Sequence, residues 1–188
     1  TFKRPQGLSR LLKSLESLRF SKVPTPIITV CVVDNDSSKS AQEVSEDFSK
    51  RNPGVLFKYV VESKSGIPHA RNRVLKETVP SHDYLVFVDD DEFVQPFWLD
   101  ELLHVQRTYN AHVVAGPVLP DFSASTDTWI RNSPFFDRLR MPTGSSLTVV
   151  ATGNTLVCCK FLSKVKLTFD SRYAMSGGSD THFFMRMA

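Results

Sequence analysis

The chain has 188 residues, of which 41% are hydrophobic and 23% charged, and its net charge is +3. That length suits one domain with a sizeable core, the composition excludes a disordered chain, and so small a charge, with no run of Lys or Arg, leaves no footprint for nucleic acid. No apolar segment reaches the roughly 18–20 residues that span a bilayer, and the opening residues do not read as a secretory leader. The three cysteines, Cys31, Cys158 and Cys159, read as small buried hydrophobes in a reducing compartment rather than as a disulfide framework.

After a polar opening, Thr1-Phe2-Lys3-Arg4-Pro5, the leucines Leu8, Leu11, Leu12, Leu15 and Leu18 recur at helical spacing. They predict an amphipathic helix with Pro5 near its start. Such a helix usually follows a strand, so one is expected ahead of Thr1. Ile27 to Val33 is a β-branched run that ends in Asp34-Asn35-Asp36-Ser37-Ser38, a strand feeding a polar loop and then a helix through Lys50. Leu56 to Val61 reads as a strand. Gly66-Ile67-Pro68 then turns the chain into a helix with His69, Ala70, Arg71 and Asn72 in its first turns. Tyr84 to Val88 is the next strand, Pro96 opens a helix to about Asn110, and His112 to Val118 is a further strand. Short apolar strands alternating with helices predict parallel pairing through right-handed crossovers, hence an α/β sandwich. From Pro120 to about Thr148 the pattern dissolves; a long irregular stretch in a compact domain is usually functional or mobile. Trp129 and Phe135 within it are expected as core packing rather than as a platform for a sugar. Strand character returns over Val149 to Cys158, a helical turn fits Phe161 to Lys164, and Ser179 or Asp180 can cap a final helix expected to continue past Ala188.

The strand Tyr84-Leu85-Val86-Phe87-Val88 breaks directly into Asp89, Asp90, Asp91 and Glu92. Four adjacent acids repel one another, which a cation together with a ligand would relieve. Alternation along the strand points Asp89 and Asp91 the same way and Asp90 the other way. Carboxylate oxygens suit Mg²⁺ or Mn²⁺ bridged to a substrate phosphate, and the carboxyl ends of parallel strands are where open α/β sheets bind ligands. The alternative is a solvated turn leading into a helix whose dipole favours negative charge.

Read together, Thr1-Phe2-Lys3-Arg4-Pro5, Val33-Asp34-Asn35, Gly66-Ile67-Pro68-His69-Ala70-Arg71-Asn72, Phe87-Val88-Asp89-Asp90-Asp91-Glu92 and Gly177-Gly178-Ser179-Asp180 resemble the ordered motifs of family 2 glycosyltransferases. The resemblance covers nearly the whole chain. It implies the GT-A fold, a Rossmann-like three-layer α/β/α sandwich with a mostly parallel central sheet, as one catalytic domain over residues 1–188. It also implies a nucleotide-diphosphate sugar donor, a divalent Mg²⁺ or Mn²⁺, a glycan or lipid-linked acceptor, and transfer with inversion in surface glycan or polysaccharide biosynthesis. Such an enzyme would be cytoplasmic, at the inner face of the membrane, where peripheral association is compatible with this chain. Carried over by position, Asp180 would be the general base, and Thr1, Lys3, Arg4, Asp34, Arg71, Asn72, Asp89 and Asp90 would belong to the nucleotide site. Asp91, with Asp89, would hold the metal. The sequence departs from the pattern at Ser179, where the family commonly has Glu, and it carries no Gln-x-x-Arg-Trp segment.

Several residues keep a purely structural alternative. Asp34 can make an Asx turn, Arg71 can be a paired surface residue, and Asp180 can serve as a plain N-cap. His69, His112 and His182 share no metal-ligand spacing. Two other functions remain open from the residues: a Mg²⁺-dependent phosphoryl-transfer or phosphoacceptor domain, which requires a lysine and a hydroxyl on neighbouring strand ends, and a noncatalytic nucleotide-binding module of the same fold.

Overall fold

The structure is a computed structural model and describes residues 1–136 and 140–187. Its elements in chain order are α1 (Pro5–Leu15), β1 (Thr29–Asp34), α2 (Gln42–Arg51), β2 (Leu56–Val61), α3 (Ile67–Thr78), β3 (Tyr84–Phe87), α4 (Trp98–Tyr109), β4 (Val113–Ala115), α5 (Thr128–Arg131), β5 (Thr155–Cys158), α6 (Cys159–Val165) and α7 (Ser179–Met185). The strands and long helices expected within residues 1–188 are present, but β5 begins at Thr155 rather than Val149 and β4 ends at Ala115 rather than Val118.

β1 and β2 pair in parallel, with Thr29 opposite Leu56 and Asp34 opposite Val61. Parallel pairing follows from α2, which carries the chain back between them. In the second group β5 lies between β3 and β4 and runs antiparallel to both. β3 and β4 therefore run parallel to each other, as α4 between them requires. β5 takes the opposite sense because it arrives from the irregular return over residues 116–154 and not through a helical crossover. Residues 137–139 of that return lie outside the described residues.

The three layers are visible in the alternation of side chains. Leu85 and Phe87 of β3 and Val157 of β5 pack with Leu75 of α3, Leu162 of α6, and Phe183 and Phe184 of α7. Tyr84 and Val86, one residue out of step, face the other way with Leu156 and Val114 onto Leu99, Leu102 and Leu103 of α4. The period of two in the strands thus places helices on both faces of the sheet. A third cluster joins Leu8 and Leu12 of α1 and Phe48 of α2 to Val32 of β1. Trp129 and Phe135, expected in the core, are instead 72% and 81% exposed.

This architecture puts the polar ends of β1 and β3, and the start of α3, in the same neighbourhood. Asn35 makes the join. Its amide nitrogen donates to the carbonyls of Glu62 and Lys64 at 2.8 and 2.7 Å, and its oxygen accepts from the Gly66 N–H at 2.9 Å. The Thr1 nitrogen donates to the Val33 carbonyl and the Asn35 N–H donates to the Thr1 carbonyl, both at 2.8 Å. That alternation is the bonding of a parallel ladder, and it brings the Thr1–Arg4 segment to the end of β1.

Candidate active site

The acidic loop after β3 lies across the N-terminal half of α1. A Cβ on Gly7 would stand 2.4 Å from the Asp90 carbonyl oxygen, so only glycine lets the loop approach this closely. The Val94 N–H donates to Ser14 Oγ at 3.0 Å and fixes the loop's far end on the same helix. Arg4, just before α1, reaches Asp91 at 2.8 Å and Asp90 at 3.4 Å. These two carboxylates raise the Arg4 guanidinium above its ordinary value, the charge of Asp90 being the largest single cause and the hydrogen bond and charge of Asp91 following. Lys3, Arg4, Pro5, Gln6 and Gly7 line a shallow concavity beside the start of α1, where free helix N–H groups and two cations favour an anion. Thr1 Oγ1 is buried without a hydrogen-bond partner among the described residues.

α3, α7 and the turn entering β5 also meet at the acidic loop. Arg71 Nη1 donates to Asp180 Oδ1, and its Nη2 stands 3.6 Å from Asp89 Oδ1. The Arg71 side chain is 12% exposed and that of Asp180 23%, against 50% for Asp89 and 63% for Asp91. One nearly buried guanidinium therefore spans the gap between the acidic loop and Asp180. Burial lowers Arg71 from its ordinary value while Asp89 pulls the other way. Asp180 also accepts from Ser179 Oγ at 2.9 Å and from Thr152 Oγ1 at 2.8 Å.

Gly153 lies against the acidic loop. A Cβ there would stand 2.7 Å from Glu92 Oε1 and 3.7 Å from Asp89 Oδ2. Glu92 in turn accepts from the Asp89 N–H at 3.0 Å. Burial above all pushes the Glu92 carboxyl up, and Asp89 and Asp91 add to the shift against the pull of that hydrogen bond, which lessens the repulsion within the acidic run.

Seven of the residues expected at the site thus flank one region: Thr1, Lys3, Arg4, Arg71, Asp89, Asp90 and Asp91, with Asp180 joined to them through Arg71. Asp34 and Asn72 do not face it. Asp34 is wholly buried; its carboxylate accepts from the Asp36 and Ala41 N–H groups at 3.0 and 2.9 Å and from the Tyr59 hydroxyl at 2.8 Å. It forms the Asx turn that ends β1. Asn72 exchanges two 2.8 Å hydrogen bonds with the Phe169 backbone, as a neighbouring strand would, and so fixes the segment whose ring lies under Arg71. Thr152, Gly153 and Gly7 were not singled out from sequence, although a Gly-Asn pair entering an apolar run marks a close backbone approach. Among the described residues no lysine pairs with Asp89, Asp90 or Asp91, which removes the support a phosphoacceptor site needs.

The three-layer sandwich is the GT-A fold, and solved structures of that fold superpose on it. The mannosyltransferase PcManGT from Pyrobaculum calidifontis, solved with GDP-Man and Mn²⁺, matches all of this chain and 50% of its own at a TM-score of 0.73 and 16% identity. S. aureus TarS 1-349 in complex with UDP-GlcNAc matches all of this chain and 51% of its own at a TM-score of 0.68 and 18% identity. The family model of glycosyl transferase family 2 matches residues 1–166, and the chain belongs to that family. It is 33% identical over all 188 residues to the succinoglycan biosynthesis protein ExoM of Rhizobium meliloti (strain 1021), of which it spans 59%.

Proposed function

We propose that this chain carries the donor site and the general base of an inverting glycosyltransferase, which moves a sugar from a nucleotide-diphosphate donor to a hydroxyl of a glycan or lipid-linked acceptor during polysaccharide synthesis. The observation that carries the reading is the Arg71 bridge, which ties the Asp180 carboxylate to the acidic loop. The relatives are consistent with it: one is named for succinoglycan biosynthesis, and the two solved neighbours hold nucleotide sugars.

In this reading the nucleotide lies between the Thr1–Arg4 segment and the loop after β3. Arg4 and Lys3 offer charge to the diphosphate, and Arg71 is within reach of it from the other side. Asp34 acts at one remove, by shaping the loop after β1. Asp180 accepts the proton of the attacking hydroxyl, a task that needs one carboxylate and no covalent intermediate.

Asp89 and Asp91 fit a divalent cation. Mg²⁺ and Mn²⁺ sites commonly take one or two carboxylates and complete themselves with phosphate and water, which agrees with two exposed carboxylates on one loop, Asp91 beside Arg4 and Asp89 near Arg71. Such an ion, when bound, offsets the negative charge developing on the departing diphosphate. No described helix is long and apolar enough to cross a membrane; we place the reaction on the cytoplasmic side, at the inner membrane face.

Calorimetry with UDP, GDP and dTDP, each with and without Mn²⁺, tests the reading. At least one nucleotide diphosphate binds with metal dependence if it holds. Absence of binding by all three under both conditions overturns it.

A further inference from the structure

The turn that enters β5 carries a residue whose hydroxyl, among the described residues, bonds only to the carboxylate at the centre of the proposed reaction. Thr152 is wholly buried. Its Oγ1 donates to Asp180 Oδ2 at 2.8 Å and its N–H approaches the same oxygen at 3.4 Å. The other oxygen, Oδ1, accepts from Arg71 Nη1 and from Ser179 Oγ. A carboxylate has about four lone-pair sites, so all are occupied here, and proton transfer requires one donor to leave. Arg71 is the donor with a second anionic partner already near, Asp89, and a diphosphate beside Asp89 would compete for it. Thr152 has no such alternative.

We propose that Thr152 is a positioning residue for transfer: by holding Oδ2 it fixes the plane of the Asp180 carboxylate and leaves Oδ1 as the oxygen that takes the proton. The step balances. The acceptor oxygen forms its bond to the anomeric carbon, the bond from that carbon to the diphosphate oxygen breaks with its electron pair leaving on the nucleotide, and the acceptor proton ends on Oδ1. A carboxylate free to rotate would present this oxygen only part of the time, and small losses of orientation are costly to a proton transfer.

A purely architectural role for the hydroxyl is disfavoured by how the turn is anchored. Asn154, two residues on, accepts from Trp98 Nε1 at 2.6 Å, donates to the Pro117 carbonyl at 2.8 Å, and its carbonyl accepts from the Gly116 N–H at 2.9 Å. These bonds hold the turn without the Thr152 hydroxyl.

The inference rests on Asp180 being the base, and the experiment separates the two. Thr152→Val, Thr152→Ser and Asp180→Asn are compared by calorimetry with UDP and GDP in Mn²⁺, and by release of the nucleotide diphosphate from UDP-glucose, UDP-N-acetylglucosamine and GDP-mannose. Thr152→Val is expected to lower kcat by about 10- to 100-fold while donor KM and nucleotide Kd stay within about two-fold, and Thr152→Ser to recover most of the loss. Intact nucleotide binding certifies that each variant is folded. The assignment of Thr152 is overturned if Thr152→Val turns over normally, if its nucleotide affinity falls in step with kcat, or if serine rescues nothing. Normal turnover by Asp180→Asn would instead remove the base on which the proposal stands.

Discussion

Gly7 offers a sharp test of how the acidic loop is placed, because a single methyl group pushes it in a known direction. The Cβ of Gly7→Ala would sit 2.4 Å from the Asp90 carbonyl oxygen and 3.5 Å from its carbon. Ordinary contact needs about 1 Å more. The obstacle is backbone, so the relief is a shift of the loop rather than of a flexible side chain tip. Alanine inside a helix gains about 0.5–1 kcal/mol over glycine, which offsets part of the strain and should keep the variant folded. A carboxylate pair displaced by about 1 Å, however, is expected to weaken metal-dependent nucleotide binding by about 10- to 100-fold, or about 1.4–2.8 kcal/mol. Gly54→Ala is the control, since nothing lies within 4 Å of its added carbon. Calorimetry with the nucleotide diphosphate and Mn²⁺, alongside thermal unfolding, reads both quantities. Unchanged affinity and unchanged Tm in Gly7→Ala would refute the close approach and with it the placement of Asp90 and Asp91.

Two further outcomes follow from other parts of the site and its frame. Asp91→Ala should abolish the Mn²⁺-dependent part of nucleotide binding and leave the metal-independent part, because Arg4, Lys3 and Arg71 remain; equal affinity with and without Mn²⁺ in the parent protein would contradict the role given to Asp91. Asp100 is wholly buried, and although burial pushes its carboxyl up, hydrogen bonds from Ser21, Lys22 and Val23 outweigh this and leave it below its ordinary value. A carboxyl lowered in the folded state contributes stability above its unfolded pKa of about 3.9 and loses it as pH falls through the folded value. Thermal unfolding should therefore show Asp100→Asn less stable than the parent at neutral pH, with the gap narrowing below pH of about 4; a gap that is constant with pH would contradict the charged cap.

The strands were legible in the sequence because β-branched runs closed by Asp, Asn or Gly leave little other choice, and the acids after β3 were legible because four adjacent charges are costly without a purpose. What escaped depended on distant partners. An aspartate ending a strand reads the same whether it meets a ligand or its own turn, and only the folded chain shows Asp34 filled by the Asp36 and Ala41 N–H groups and the Tyr59 hydroxyl. Asn72 sits beside Arg71 on one helix, yet the helical step of 100° sends it to Phe169 and its neighbour to Asp180. The direction of β5 was not encoded in its own residues, since Thr155-Leu156-Val157-Cys158 suits either sense of pairing. Thr152 lay unmarked because its bond to Asp180 crosses 28 residues.

The measurement closest to the central claim is a comparison of the parent protein with Asp180→Asn, using whichever nucleotide sugar the calorimetry selects as donor. The carboxamide keeps the size of the side chain and can still meet Thr152, but it cannot take a proton. Donor binding at parental affinity with transfer lowered at least about 100-fold is the predicted result. Transfer at the parental rate would contradict the account.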